Sequence, residues 1–351
     1  MSSSTIPQNE TFSSKIMNSL VDPIALTAKK CGLAALLLAL AIPAEAAAYK
    51  IALITDANNN LFWETVYSGA AKARDDLKAE GTDITLTWDG PDSDTQREVE
   101  IQIVEQKVKG KVDGIVLSPV HGRLLVPPVQ AATDAGIPTV VINAGLNPAG
   151  QISFVATDNY KGGALGARRM GTVLKGKGKV ILFRWLAGNA ATTARETGFL
   201  DTLKSQYPEI QVISSDQYAQ GSHDLGKKTA VELLKKLGAE ADGIFTVSEI
   251  TTQAMLDALR ETGQSGGKAV FIGYDNNPAL LAALKSGDIK GLVIQNPMQM
   301  GYQAVRTLVS HLQGKPIEKE IDTGCTMVTL DNIAKPAVDE LLNPKLVKYV
   351  K

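Results

Sequence analysis

Polar side chains recur directly after the apolar runs of this sequence, where the chain would leave a strand. They stand in residues 56–60 and at Ser118, Asn143, Arg184, Ser248, Glu249, Asp275 and Gln295. Their amide, hydroxyl, carboxylate and guanidinium groups can donate or accept hydrogen bonds. Aromatic residues stand close by, at Phe62, Trp63 and Trp185. One polar loop residue carries no information, but the recurrence favours a shared cleft for a small polar ligand.

The same residues do not form a pattern typical of catalysis or metal binding. There is no Gly-x-Ser-x-Gly motif, and His121, His223 and His311 are far apart in the sequence. The GGALG segment at 162–166 is only a fragment of a dinucleotide fingerprint, and it is not in the first strand–helix turn where that fingerprint belongs. We therefore expect no catalytic residue, no metal and no cofactor.

Strands and helices alternate along the chain in a way that predicts parallel sheets. The first series has strands at 50–55, 84–88, 113–118 and 137–143, with helices at 61–80, 95–109 and 124–135. After a linking strand at 152–158 the pattern restarts and continues to an apolar segment near 325–330. Ligands bind such sheets beyond the carboxyl ends of the strands. We expect an α/β protein with two doubly wound, Rossmann-like domains.

Length and charge agree with two globular domains. The chain has 351 residues, of which 44% are hydrophobic and 21% charged, which is enough for more than one core. The formal net charge of -1 indicates neither nucleic acid nor anionic lipid as a partner.

The first 48 residues predict an export signal and a preceding segment. Lys29 and Lys30 precede an apolar run at 31–42, and Pro43 and the small-residue segment 44–46 follow it. The run is too short for a stable membrane anchor, and it lacks the polar face of a core helix. We expect cleavage between Ala46 and Tyr49, with Met17 as an alternative start. Because Cys31 precedes the apolar run, a lipid anchor is not expected, and the mature chain keeps one cysteine, Cys325, expected to be buried.

Seven segments in order resemble the periplasmic ribose-binding protein and its relatives, the type I sugar-binding proteins of ABC transporters. They are ALITDANNNLFW (52–63), DGIVLSP (113–119), AGIPTVVIN (135–143), ATDNYKGG (156–163), TARETGF (193–199), IGYDNNP (272–278) and IQNPMQMG (294–301). The resemblance covers essentially all of 49–330. Carried over by position, it implies ligand contacts at Asn60, Phe62, Trp63, Arg195, Asp275 and Gln295. These residues suit a sugar, since aromatic rings cover its C–H faces and charged groups bind its hydroxyls.

Two departures from the family pattern affect the expected ligand. Asn143 and Ala144 stand where an Asp-Arg pair is usual, and Ser248 and Glu249 stand where an Asn-Asp pair is usual. Ribose itself is therefore not the expected ligand, although Asn143 and Ser248 remain candidate contacts. Trp185 or His223 could fill the space beside Ala144.

Structural readings of the same residues stay open at this point. Arg195 could form a surface ion pair with Glu196 or Asp201, and Asp275 could cap the helix that begins near Pro278. Since adjacent helical positions face apart, one of Phe62 and Trp63 is expected in the core.

The resemblance also implies the organisation and partners of the protein. It predicts a periplasmic binding protein type I fold with one lobe from 49–157 plus 297–322, a second from 158–296 plus 323–351, and a three-strand hinge. The implied function is capture of a monosaccharide or polyol in the interdomain cleft and delivery to an ABC transporter permease, with a chemoreceptor as a further candidate partner. We expect a periplasmic monomer that is not an enzyme. The alternatives are an exported enzyme or a sensor of another small molecule on the same fold.

Overall fold

The structure is a computed structural model, and it describes residues 48–58, 60–93 and 95–347. The expected export signal lies outside the described residues. Within the described ranges, no helix is long and apolar enough to cross a membrane.

Twelve strands and ten helices are found in the described residues. In chain order they are β1 (Tyr49–Ile54), α1 (Leu61–Ala79), β2 (Ile84–Asp89), α2 (Arg97–Lys109), β3 (Gly114–Leu117), α3 (Val126–Asp134), β4 (Thr139–Ile142), β5 (Ser153–Ala156), α4 (Asn159–Val173), β6 (Lys177–Arg184), α5 (Ala190–Gln206), β7 (Glu209–Tyr218), α6 (His223–Leu237), β8 (Gly243–Thr246), α7 (Glu249–Glu261), β9 (Val270–Tyr274), α8 (Pro278–Ser286), β10 (Gly291–Gln295), α9 (Pro297–Leu312), β11 (Glu320–Asp322), β12 (Cys325–Val328) and α10 (Pro336–Leu342).

The first sheet has the strand order β11-β5-β4-β3-β1-β2, and all its pairs are parallel. Ile51 and Leu53 of β1 pack into one core with α1 and α9, whereas Ala52 and Ile54 pack into another on the opposite face. Both faces of the sheet are thus buried, which explains why its strands are apolar without polar alternation. This sheet and helices α1, α2, α3 and α9 are the first lobe.

The second sheet has the order β12-β10-β9-β8-β6-β7. Its strands are parallel except that β12 runs antiparallel to β10. With helices α4 to α8 and α10 it forms the second lobe, whose side chains make one continuous core. The predicted fold class is therefore confirmed, with β12 as the one antiparallel strand of the described sheets. Cys325 on this strand is half-buried, less than expected, and burial raises the pKa of its thiol to about 11.

The chain passes between the two sheets three times. It leaves the first sheet after β5, returns to it between β10 and α9, and leaves it again between β11 and β12. The tail then reaches back, since the Val347 N–H donates to Ser68 Oγ of α1 at 2.9 Å.

A close contact between α4 and α5 sets the position of α5 in the second lobe. A Cβ on Gly163 would collide with the carbonyl of Arg195, and a Cβ on Gly198 would collide with the carbonyl of Tyr160. Glycine lets the two backbones touch at these points. Gly162 and Gly166, by contrast, face Tyr274 and Phe245 of the sheet. The GGALG segment therefore serves packing of a helix on strands and on its neighbouring helix.

Candidate functional site

One cavity of about 520 Å³ lies between the carboxyl ends of the two sheets. All eight residues proposed from the sequence line it: Asn60, Phe62, Trp63, Asn143, Arg195, Ser248, Asp275 and Gln295. The structure thus brings together side chains that are far apart in the sequence, such as Asn60 and Gln295, which are separated by 235 positions. Their contact with a ligand remains a prediction.

The first-lobe side of the cavity is built on the beginning of α1. Asn60 is the N-cap, and its Oδ1 accepts from the Trp63 N–H at 3.1 Å. Phe62 and Trp63 meet edge to face with ring centroids 4.8 Å apart. Trp63 is 4% exposed and belongs to the lobe's core, while Phe62 is half-buried against it. The expectation that one of the two is a core residue is correct, although both also line the cavity.

Asn143 follows β4 in a left-handed backbone conformation, with φ of 59°. Its Nδ2 donates to Ser118 Oγ at 3.3 Å, and its carbonyl accepts from Asn159 Nδ2 at 3.2 Å. Asn159, the first residue of α4, belongs to the second lobe. Its Oδ1 in turn accepts from Arg195 Nε at 2.8 Å. One amide therefore links the two lobes and orients the arginine.

Arg195 is buried in α5, with 3% exposure. Its Nη1 donates to the Val247 carbonyl at 2.8 Å and lies 3.9 Å from Asp275 Oδ2. The reading of Arg195 as a surface residue paired with Glu196 or Asp201 is wrong, because Glu196 faces Arg184 instead, with Oε2 to Nη1 at 3.5 Å. A guanidinium has five N–H donors, so these bonds leave donors for a ligand.

Asp275 follows β9, also with a left-handed φ of 60°. Its Oδ1 accepts from Gln295 Nε2 at 2.8 Å, and its backbone N–H donates to the Val293 carbonyl at 2.8 Å. Burial raises the pKa of this carboxyl, and the Arg195 cation and the Gln295 amide oppose the rise. Asp275 does not cap α8, because the cap is Asn277, whose Oδ1 accepts from the Leu280 N–H at 2.9 Å.

Ser248 is the N-cap of α7, with a reciprocal capping box to Thr251. The neighbouring Glu249 accepts a hydrogen bond from Asn277 Nδ2. Burial raises the pKa of Glu249, and the nearby carboxylate of Asp275 acts in the same direction. Both Ser248 and Glu249 therefore reach the cavity while their backbone begins a helix.

The cavity also contains residues outside the eight candidate contacts. They are Asp56, Trp185, Asn189, Ala191, Thr192, Glu249 and Ile250. Asp56, Trp185 and Glu249 were already among the residues that favoured a shared cleft, whereas the other four were not predicted. Asn189 is the N-cap of α5, and its Oδ1 accepts from the Thr192 N–H at 3.0 Å. The preference for asparagine at a helix N-cap is the one pattern from which its position could have been predicted.

Two residues were suggested for the space beside Ala144, and of these Trp185 lines the cavity and is 3% exposed. His223 is not among the lining residues, and its ring nitrogens lie 3.0 Å from Asp224 and 3.0 Å from Asp257. Which side chain fills the space beside Ala144 stays a prediction. Of the other polar residues at strand ends, Ser118 supports Asn143, and Arg184 donates to the Tyr218 hydroxyl at 2.7 Å.

Two α/β lobes with one polar, aromatic-walled cavity between them define a ligand-binding protein of the two-lobed class. Residues 51–316 match the periplasmic binding protein domain family, and the chain belongs to this family. The resemblance seen in the sequence is thereby confirmed, and the family is one of periplasmic, transport-associated binding proteins.

Individual relatives agree with this assignment. The xylitol-binding protein of Mycolicibacterium smegmatis is 26% identical over 261 residues, covering 74% of this chain and 72% of the relative. The ribose import binding protein of Bacillus subtilis is 25% identical over 281 residues, covering 80% and 87%. The crystal structure of a carbohydrate transporter solute-binding protein from Agrobacterium radiobacter, in complex with D-arabinose, is 31% identical, covers 85% of this chain and 99% of its own, and superposes with a TM-score of 0.78.

Proposed function

We propose that this protein captures a monosaccharide or a related polyol in the cavity between its lobes and delivers it to the permease of an ABC transporter. The observation that carries the proposal is the convergence of the eight residues on one cavity. The relatives named for xylitol and ribose, and the structure with D-arabinose, support this ligand chemistry.

The arrangement of the cavity fits a polyhydroxylated ring. Phe62 and Trp63 come from the first lobe and Trp185 from the second, so aromatic surfaces are available for the C–H faces of a sugar. Arg195 supplies donors and Asp275 supplies acceptors for the hydroxyls, and charged partners make the stronger hydrogen bonds. The protein performs no reaction on its ligand in this proposal.

We further propose that 49–157 plus 297–322 and 158–296 plus 323–351 are the units that move relative to each other. Support comes from the three short connections near 157, 296 and 323, where few residues need to absorb a rotation. The C-terminal tail departs from this division, because Val347 belongs by sequence to the second unit but contacts Ser68 of the first lobe.

Thermal unfolding of the purified protein across a panel of pentoses, hexoses, polyols, amino acids and nucleosides tests the proposed ligand class. A ligand at about a hundred times its Kd stabilises the folded state by about 2.7 kcal/mol, which raises the Tm by several degrees in a domain of this size. We expect such a shift from at least one sugar or polyol. A shift produced only by amino acids or nucleosides would refute the sugar assignment.

We also propose that the protein reaches the periplasm by cleavage of a signal after Ala46, Ala47 or Ala48. The order of charged, apolar and small residues at 29–46 supports this proposal. Mass spectrometry of the periplasmic fraction should find a mature chain that begins at residue 47, 48 or 49. A chain that retains residues 1–46 would contradict it.

A further inference from the structure

The loops farthest from the three connections between the lobes touch each other. In the first sheet, β2 is the terminal strand at the end opposite β11, and in the second sheet, β7 is the terminal strand at the end opposite β12. The connections leave from β5, β10 and β11, which are among the outermost two strands at the other ends of the sheets. A rotation about these connections therefore moves the loops after β2 and β7 farther than the loops after the inner strands.

Gly221, in the loop between β7 and α6, lies against Thr95, in the loop between β2 and α2. A Cβ on Gly221 would be 2.6 Å from Thr95 Cγ2, whereas carbon atoms pack at about 3.5–4.0 Å. The Thr95 hydroxyl is engaged elsewhere, since its Oγ1 lies 2.9 Å from Ser93 Oγ. The methyl group of Thr95 is thus the part that meets the second lobe, and glycine is what lets it come so close.

A second glycine makes the same kind of contact nearer to the connections. Gly188 lies in the loop between β6 and α5, and a Cβ there would be 2.6 Å from Nε2 of His121, which follows β3 in the first lobe. The His121 ring is held by its own loop, because its Nδ1 accepts from the Arg123 N–H at 3.2 Å and from the Leu124 N–H at 3.4 Å. We call the pairs Thr95–Gly221 and His121–Gly188 the mouth contacts.

We propose that Gly188 and Gly221 are positioning residues for ligand binding, because a side chain at either one would hold the lobes apart at the mouth contacts. This inference rests on the proposed function, since it requires a ligand that touches both lobes. Such a ligand loses apparent affinity in proportion to the loss of the closed form. The backbone alone does not require glycine for this purpose: Gly81 and Gly176 are also left-handed, yet a Cβ on either would meet no atom of the described residues within 4 Å.

Alanine variants of these glycines test the inference by isothermal titration with the panel compound that gives the largest thermal shift. Gly221→Ala should bind it about tenfold more weakly, as a closed form populated about ten times less would imply. Gly176→Ala is the matched control, because both glycines have a φ of 82° and bear the same backbone strain as alanine. Gly188→Ala and Gly81→Ala, both at a φ of 90°, form a second pair. Urea unfolding should show similar losses of stability within each pair.

The Thr95→Ser variant distinguishes a clash between the lobes from a disturbance within one loop. It removes the methyl group that a Cβ on Gly221 would meet, and it keeps the hydroxyl beside Ser93. Added to Gly221→Ala, it should restore most of the lost affinity, since substitutions at residues in contact are not additive. A loop distorted by its own alanine would not be repaired from the other lobe. Binding by Gly221→Ala as tight as that of Gly176→Ala, or a loss that Thr95→Ser leaves unchanged, would overturn the inference.

A cross-link tests the outer mouth contact without a ligand. Thr95→Cys combined with Gly221→Cys should form a disulfide on mild oxidation, because the two positions approach closely and a disulfide needs Cβ atoms about 3.5–4.5 Å apart. Thr95→Cys with Gly176→Cys is the control and should not cross-link, since Gly176 directly precedes β6, at the opposite edge of the second sheet from the loop after β7. Addition of the panel compound should speed the cross-link between positions 95 and 221.

The outcomes separate this inference from the proposed function. If a sugar or polyol binds and the glycine variants behave like their controls, the inference falls and the proposed function stands. If only an amino acid or nucleoside binds, the sugar assignment falls, and loss of that binding in Gly221→Ala with rescue by Thr95→Ser still supports the mouth contacts. If no panel compound binds, the cross-link decides: its formation supports the contact, and its absence overturns the inference.

Discussion

The guanidinium of Arg195 stacks on the ring of Tyr274, with its carbon 4.0 Å from the ring centroid. Tyr274 is the last residue of β9 and is fully buried, so the ring is a rigid platform. The stack adds to the hydrogen bonds that Arg195 donates to Asn159 Oδ1 and the Val247 carbonyl, and fixes the plane of the guanidinium at the end of the sheet. An arginine held on three sides presents its remaining donors in one direction, which lowers the entropy cost of binding a ligand.

Replacing Arg195 by alanine should remove most of the binding. Loss of a hydrogen bond to a charged group costs about 1.5–3 kcal/mol, which corresponds to affinity about tenfold to more than a hundredfold weaker. Titration calorimetry with the best ligand of the panel measures the loss, and circular dichroism checks the fold. Arg168→Ala is the control, because Arg168 is exposed on α4. Binding by Arg195→Ala as tight as that of the parent would exclude a contact with the ligand.

Alanine variants of Asp275 and Asn277 should distinguish a loss of ligand affinity from a loss of stability caused by removing a helix cap. Asp275→Ala should weaken binding tenfold or more, since it removes an acceptor in the cavity and the partner of Gln295. Asn277→Ala removes the cap of α8 and should lower the free energy of unfolding by about 1 kcal/mol. Affinity measurements and urea titrations on both variants give the comparison. If Asp275→Ala changes stability alone, its role is structural.

Glu196 should make the stability of the second lobe depend on pH. Burial raises the pKa of its carboxyl to about 7, against the opposing effects of the Arg184 cation, the Trp185 N–H and the Arg195 cation. The folded state therefore keeps this proton up to about pH 7, while the unfolded state releases it near the ordinary value of 4.5. Between these values the folded state binds more protons, so stability falls as the pH rises, by at most about 1.4 kcal/mol per pH unit for one group.

The Glu196→Gln variant isolates this effect from other titrating groups. Urea unfolding of the parent and the variant should be compared from pH 4.5 to pH 7.5. We expect the parent to lose stability relative to the variant across this window, with the difference levelling off above about pH 7. Parallel curves for the two proteins would show that Glu196 does not couple to folding.

Ligand binding should bring the two lobes together. Asn60 and Phe62 lie on the first lobe and Arg195 and Asp275 on the second, so a ligand that contacts both sides binds the closed form more tightly. Small-angle scattering should show a smaller radius of gyration with the panel compound that gives the largest thermal shift. Asp275→Ala at the same ligand concentration is the control and should show a weaker change. An unchanged radius at saturation would rule out closure.

The sequence alone determined the fold class and the edge at which the site lies. Apolar runs that alternate with helices allow few topologies, since parallel strands need crossovers of one hand. The carboxyl ends of those strands then meet at one edge, which is why residues as distant as Asn143 and Gln295 could be assigned to one cleft. For Arg195, which does not stand at a strand end, the assignment came from the resemblance of segment 193–199.

Only the tertiary structure decided which partner each polar group takes. Arg195 could have paired with nearby Glu196, but it bonds to Asn159 and Val247, which are 36 and 52 positions away. Aspartate and asparagine are both favoured as N-caps, so residue type did not distinguish Asp275 from Asn277 as the cap of α8. In the structure Asn277 is the cap. Local propensity sets helices and strands, whereas hydrogen-bond partners follow from how these elements pack. The glycine contact between α4 and α5, which no local pattern specifies, is what places Arg195 against Asn159.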